Sequence, residues 1–195
     1  MKNKSPLAPS PLLGTGSFLF LDRDGVINQE LPGDYVKTVG EFIFTPQATE
    51  AIAILTSLFD RIFVVTNQRG IGRGVMSQAD VDNVHQYMLA EIEKAGGQID
   101  RIYICPAISP TCVNRKPNTG MAFRAQADFP EIDFRRSVMV GNSLSDIQFG
   151  NKLGMYTVLV GDKYEKEHKI YEQIDAFCEN LYKFADNLQH NVKPI

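Results

Sequence analysis

Five short apolar runs set the rhythm of this chain. Phe18–Leu21, residues 61–65, Arg101–Cys105, residues 137–140 and Tyr156–Val160 are rich in β-branched and aromatic residues. Runs of that length, bounded by turn residues, read as buried strands. Between them the apolar spacing changes to three and four. Residues 46–59 begin with Pro46, which suits a first helical turn, and carry Ala51, Ile52, Leu55 and Leu58 on one face. Ser77 stands where it can cap a helix over 78–95, with Val81, Val84, Met88 and Ile92 at helical spacing. Residues 119–128 and 144–153 predict two shorter helices. Strands alternating with helices predict an α/β fold with a parallel sheet covered on both faces.

Three segments depart from the alternation. In residues 26–45, Pro32, Gly33 and Gly40 punctuate the apolar stretches 35–39 and 42–44. That pattern predicts a small β-hairpin flap over the mouth of the sheet, too short to be a lid domain. Towards the C-terminus, Ile170, Ile174, Phe177, Leu181, Phe184 and Leu188 recur every three or four residues. They read as an amphipathic helix packed back on the domain; the alternative is a short strand, Ala176–Cys178, followed by a helix from Asn180. Residues 1–16, rich in Pro, Ser and Gly, read as a flexible tail, which leaves 17–195 as one domain.

Composition narrows the partners. With 44% hydrophobic and 22% charged residues, the 195-residue chain has ordinary globular composition. A net charge of -3 gives no reason to expect nucleic acid or an anionic membrane. No apolar run is long enough to span a bilayer. Three cysteines are too few for a disulfide framework, which fits a cytoplasmic location. A monomer acting on a small molecule is the default expectation.

The most informative stretch is residues 18–28, FLFLDRDGVIN. Strand residues alternate faces, so Asp22 and Asp24 point the same way if the extended trace continues one step beyond the strand. Two carboxylates then stand at the strand's carboxyl end, where open α/β sheets bind ligands. They repel unless they share a proton or a cation lies between them. A calcium loop starting at Asp22 would need an oxygen ligand at Val26, glycine at Ile27 and glutamate at Gly33, and it has none of these. A solvated turn is the plainer alternative.

Other strand ends carry polar clusters too: Thr66-Asn67-Gln68, Arg115-Lys116-Pro117, and Gly141-Asn142-Ser143 with Ser145 and Asp146. In a parallel sheet these ends share one edge. Carboxylates and the Asn142/Asp146 pair are hard oxygen donors suited to Mg²⁺. Thr66 and Lys116 offer a donor and a positive charge to a phosphate. One carboxylate can be a nucleophile and the other an acid/base. Each cluster alone has a commonplace reading as turn or helix cap; their conjunction describes phosphoryl transfer through an aspartyl-phosphate.

Asp22-x-Asp24-Gly25, Thr66, Lys116 and Gly141-Asn142-x3-Asp146 resemble the four motifs of the haloacid dehalogenase (HAD) superfamily of phosphatases. LDRDGVIN, FVVTNQRGIGRG, RKPNTGM and MVGNSLSDIQFG are similar to its heptose bisphosphate and histidinol phosphate phosphatase branch. The resemblance implies a Rossmann-like, HAD-like sheet with no cap domain, and a Mg²⁺-dependent phosphomonoesterase of carbohydrate metabolism. It implies Asp22 as nucleophile, Asp24 as acid/base, and Thr66 and Lys116 as phosphoryl stabilisers. Mg²⁺ would sit on Asp22, Asp24 and the fourth motif, at Asn142 and Asp146. Asn67, Arg69, Arg73 and Arg115 are the expected substrate-binding residues. A heptose bisphosphate is the leading substrate, then histidinol phosphate; a catalytically silent binding protein is the competing class.

Departures from the branch fall around recognition. Its usual acidic residue in the fourth motif is Asn142 here, the following residue is Ser143, and Arg69 replaces a serine. The branch's structural zinc needs four Cys and His ligands, but these positions read Cys105-x-Ala107 and Cys112-x-Asn114. Two ligands remain, so no zinc is expected. Gly70-Ile71-Gly72-Arg73-Gly74 lacks a P-loop ending and reads as a loop beneath Thr66. His85, His168 and His190 read as surface residues.

Overall fold

The computed structural model describes residues 16–165 and 167–191. Within them β1 (Phe18–Leu21), β2 (Arg61–Asn67), β3 (Arg101–Cys105), β4 (Ser137–Gly141), β5 (Tyr156–Val160) and β6 (Ala176–Cys178) form one sheet. Every pairing is parallel, in the order β3-β2-β1-β4-β5-β6. The helices are α1 (Ala48–Thr56), α2 (Arg69–Gly72), α3 (Gln78–Lys94), α4 (Gly120–Asp128), α5 (Leu144–Leu153) and α6 (Leu181–Asn191). The chain winds outward from β1 to β3, returns to β4 beside β1, and winds out the other way. That reversal makes a crevice at the carboxyl ends of β1 and β4, where such sheets bind ligands.

The apolar run of β1 follows from its central place, with both faces buried. Leu19 and Leu21 join Val64 and Val140 against Leu55 of α1, Met88 of α3 and Phe184 of α6. Phe18 and Phe20 face the other way, among Phe63, Met139, Met121 of α4 and Phe149 of α5. Leu21 pairs in register with both Val64 and Val140. Asp22, Thr66 and Asn142 therefore leave the sheet within two residues of one another along the same edge.

Local signals locate the helices well. Ser77 Oγ accepts from the Asp80 N–H at 3.1 Å, and the Asp80 carboxylate accepts from the Ser77 N–H at 2.7 Å, a reciprocal cap. α1 begins at Ala48 rather than at Pro46, because Gln47 takes a left-handed backbone with φ 58°.

The expected β-hairpin flap is a correction. Residues 35–39 form no strand; the segment carries a 3-10 turn, Val39–Glu41, and its β-pairing among the described residues is limited to isolated bridges, Asn28–Phe44 within the segment and Asp24–Asn28 at its base. The Glu41 carboxylate accepts from the N–H groups of Lys37 and Thr38, at 2.8 and 3.1 Å. Those donors are thereby taken from any ladder. At the C-terminus the alternative reading holds: β6 extends the sheet and α6 packs on α1 with Leu181, Phe184, Ala185 and Leu188 buried. Ile170 and Ile174 belong to a separate cluster with Ile147 and Leu159. Of the expected N-terminal tail, residues 1–15 lie outside the described residues. No helix among the described residues is long and apolar enough to cross a membrane.

Phe184 is 1% exposed. Its replacement by Ala is expected to cost about 3–5 kcal/mol by cavity formation. Urea unfolding measures this, and a loss below about 1 kcal/mol would mean that α6 is not part of the core.

Candidate active site

The strand ends enclose a cavity of about 250 Å³. Asp22, Asp24, Thr66, Asn67, Lys116, Asn142 and Asp146 line it, so the polar clusters expected from sequence do converge. At its centre is a buried three-charge cluster. Lys116 Nζ lies 2.9 Å from Asp22 Oδ1 and 2.6 Å from Asp146 Oδ1. The Arg23 N–H donates to Asp22 Oδ1 at 2.8 Å. Burial, with the charge of Asp146 added, pushes the Asp22 carboxyl up to about 7 despite Lys116. Burial opposes the Lys116 ammonium as well, but the charges of Asp146 and Asp22 outweigh it and hold its pKa above the ordinary value.

The loop carrying Lys116 is fixed by Asn67. Its Oδ1 accepts from the Lys116 N–H at 3.1 Å and its Nδ2 donates to the Lys116 carbonyl at 3.2 Å. Asn67 thus positions the lysine as well as lining the cavity. Asp146 is locked at the start of α5, where its Oδ2 accepts from the Ser143 N–H at 2.9 Å and the Ser143 hydroxyl at 2.6 Å.

Asp24 sits in a different environment. Arg23 Nη2 and Nε donate to its Oδ1 at 2.7 and 3.2 Å, and Asn28 Nδ2 donates to the same oxygen at 3.0 Å. Gln68 Nε2 donates to Oδ2 at 2.8 Å and to Thr66 Oγ1 at 2.9 Å. Burial works against this carboxylate, but the Arg23 charge and these hydrogen bonds outweigh it, and the pKa is lowered. The two aspartates of one motif are pushed in opposite directions by their surroundings. Arg23, 1% exposed, also meets His85 Nε2 at 3.0 Å. His85 is therefore not a surface residue: burial first, and the Arg23 charge second, push its pKa down to about 4. His168 and His190 are exposed, as expected.

A cationic rim closes one side. Arg69 and Arg115 line the cavity and neither forms an ion pair with a carboxylate among the described residues. Burial, then the nearby charge of Arg69, pushes the Arg115 pKa down. Arg73 stands apart from them: it is outside the cavity lining and its guanidinium lies over the ring of Tyr35, a lining residue, at 5.9 Å. The glycine-rich loop also opens directly into a helical turn, α2, rather than staying irregular. In the same lining, Glu30 and Lys163 form an ion pair at 2.9 Å, and Glu30 Oε2 accepts from Asn142 Nδ2 at 3.2 Å. Sequence reading missed Glu30, Lys163, Arg23 and Gln68. Glu30 and Lys163 are 133 positions apart, so no local pattern links them. Gln68 had a signal in its place directly after Thr66-Asn67.

The donor set fits a divalent cation. Asp22 and Asp146 against one Lys116 leave a net negative charge in a buried place; burial first, and the Asp146 charge second, raise the Asp22 pKa. No three acidic, His or Cys side chains form a ready cation cage among the described residues. The Asn142 amide lines the cavity with Asp22 and Asp146 and brings a further oxygen to it. Such hard oxygens, completed by water, suit Mg²⁺. Cys105 and Cys112 do come together, with their sulfurs 3.9 Å apart.

An open parallel sheet that delivers paired aspartates to its switch point, with a buried lysine facing them, is the arrangement of a HAD-like phosphatase. The model of the HAD-hydrolase-like family matches residues 113–184. The chain is 35% identical over 182 residues to a D-glycero-D-manno-heptose-1,7-bisphosphate 7-phosphatase of Chlorobaculum tepidum, covering 85% of this chain and 90% of the relative. It is 38% identical over 173 residues to a D-glycero-alpha-D-manno-heptose-1,7-bisphosphate 7-phosphatase of Mycobacterium tuberculosis, covering 88% and 91%. Among solved structures, the D,D-heptose 1,7-bisphosphate phosphatase of B. bronchiseptica, complexed with magnesium and phosphate, superposes with a TM-score of 0.77 at 29% identity, over 90% of this chain and 99% of that one. The chain belongs to this heptose-bisphosphate phosphatase family of HAD-like hydrolases, and it is a phosphatase.

Because the folded state raises the Asp22 pKa, the ionised carboxylate lowers stability progressively as pH rises from about 4 to about 7. In EDTA at pH 8, Asp22→Asn is expected to melt about 2–4 °C above wild type, the shift for about 1 kcal/mol in a domain of this size. The gap should close by pH 4.5. Thermal melts at both pH values check this, and a variant less stable than wild type at pH 8 would contradict the charge balance described.

Proposed function

We propose that this phosphatase removes the 7-phosphate of a D-glycero-D-manno-heptose 1,7-bisphosphate, with Mg²⁺, through a phosphoryl group carried on Asp22. The observation that carries the reading is the unpaired arginine pair, Arg69 and Arg115, on the rim of the cavity that holds Asp22 and Lys116. Two neighbouring cations without a carboxylate favour a second anion beyond the one at the reaction centre. A bisphosphate supplies both, and the relatives' names carry the same substrate class.

Each residue then has a task. Asp22 attacks phosphorus with its free oxygen while Lys116 and the Arg23 N–H hold Oδ1. The bond from phosphorus to the sugar oxygen breaks. Asp24, ionised at rest, takes up a proton as the phosphate dianion arrives beside it, since a nearby negative charge favours the neutral acid. It gives that proton to the departing sugar oxygen. Gln68 and Asn28 keep the Asp24 carboxyl aimed at this point. The regenerated Asp24 carboxylate then takes a proton from water, which attacks the phosphoryl group and frees Asp22. Lys116 and the Thr66 hydroxyl stabilise the phosphoryl oxygens by position and charge. Asp22, the Asp24 carbonyl and Asn142 Oδ1 would hold Mg²⁺, with Asp146 contributing charge; the ion supplies positive charge to Asp22 and to the phosphoryl oxygens.

Phosphate release distinguishes this from the histidinol phosphate reading. With Mg²⁺, kcat/KM for the heptose bisphosphate is expected to exceed that for histidinol phosphate by at least about 100-fold, about the discrimination that charged and polar recognition provides. Asp22→Asn should lower kcat at least about 10³-fold. Arg69→Ala and Arg115→Ala should act mainly on KM. A preference for histidinol phosphate, or no turnover of either, would contradict the proposal.

A further inference from the structure

Asn142 stands where the resemblance leads one to expect an acidic metal ligand. An amide can present either its oxygen or its NH₂ to the cavity, and only the oxygen can bind a cation. Here the choice is made by an element distant in sequence. Glu30, at the start of the flap, accepts from Asn142 Nδ2 at 3.2 Å. A carboxylate only accepts, so the NH₂ must face Glu30. Asn142 Nδ2 also lies over Gly25, where a Cβ would be 1.8 Å from it. With the NH₂ held there, no protein donor reaches Oδ1 among the described residues. Lys163 fixes the orienting group in turn, with its Nζ 3.0 and 2.9 Å from the two Glu30 oxygens.

We infer that Glu30 is a positioning residue for the divalent cation: it orients the Asn142 amide so that Oδ1, and not Nδ2, faces the metal, a task an aspartate at this position would not need. The inference rests on the proposed reading of Asn142 as a ligand. It makes the flap part of the metal site, although Glu30 itself touches neither the cation nor the reacting phosphate. Outer partners of this kind are worth about 10–100-fold in metal affinity.

Mg²⁺ titration by calorimetry, with Mn²⁺ binding by EPR as a second probe, tests this without turnover. Wild type, Glu30→Ala and Glu30→Gln are compared. Both variants remove the charge and free Lys163, but only Gln keeps an acceptor for Asn142 Nδ2. Glu30→Ala is expected to weaken binding about tenfold, and Glu30→Gln by no more than about threefold. In an Asn142→Asp background, which has no amide to orient, Glu30→Ala should no longer weaken binding. Equal losses for Ala and Gln would mean that Glu30 acts through its charge alone and would overturn the inference, as would unchanged affinity in Glu30→Ala. Absence of Mg²⁺ binding by wild type would instead sink the metal reading and this inference with it. Thermal melts of each variant in EDTA separate a folding defect from a metal defect.

Discussion

Everything at the sheet edge depends on the Lys116 ammonium lying between Asp22 and Asp146. Two carboxylates and one ammonium in a buried place do not cancel: burial first, and the Asp146 charge second, push the Asp22 pKa to about 7. Removing Lys116 would leave two buried carboxylates uncompensated and is more costly than the net value of the pairs, whereas neutralising Asp22 leaves Lys116 and Asp146 balanced. Much of the surrounding polar structure serves to hold it. Asn67 fixes the backbone of Lys116 from both sides, and Ser143 fixes Asp146 at the first turn of α5. The central strand supplies the third point, because Asp22 follows directly on a run buried on both faces.

A second device separates the two aspartates of the first motif. Asp22 is left with excess negative charge, whereas Asp24 receives hydrogen bonds from Arg23, Asn28 and Gln68 and is held ionised. Groups of the same chemical type acquire different roles when their environments push their pKa values apart. Arg23 is the hinge of this difference. Its N–H serves Asp22, its guanidinium serves Asp24, and its remaining nitrogen reaches neutral His85 on α3. A fully buried arginine of this kind is stable only because its partners on both sides are in place.

How much of this could be read from the chain varied with distance in sequence. The five short apolar runs and the α3 cap are local signals, and each became the element expected. The order of strands was not read from the chain: parallel connections must cross over, but that rule leaves the order open. Asp22, Asp24, Thr66, Lys116, Asn142 and Asp146 converge because all follow strands of one parallel sheet, which is a topological inference and not a local one. The flap was misread because apolar stretches punctuated by Pro32, Gly33 and Gly40 looked like a hairpin, while the Glu41 carboxylate took the N–H groups a ladder would need. His85 was placed at the surface because helical spacing says which face is apolar but not that a buried Arg23 waits beneath it. Glu30 and Lys163 had no signal in the chain, since their pairing exists only once β5 and the flap share a cavity.

Covalent trapping tests the central role of Asp22 most directly. Rapid acid quench during turnover of labelled heptose bisphosphate with Mg²⁺ should leave phosphate on the protein. Borohydride reduction should then convert the acyl phosphate to homoserine at position 22, read by peptide mass spectrometry. Label on Asp24, on another residue, or on none at a quench time within the first turnover would contradict Asp22 as the nucleophile.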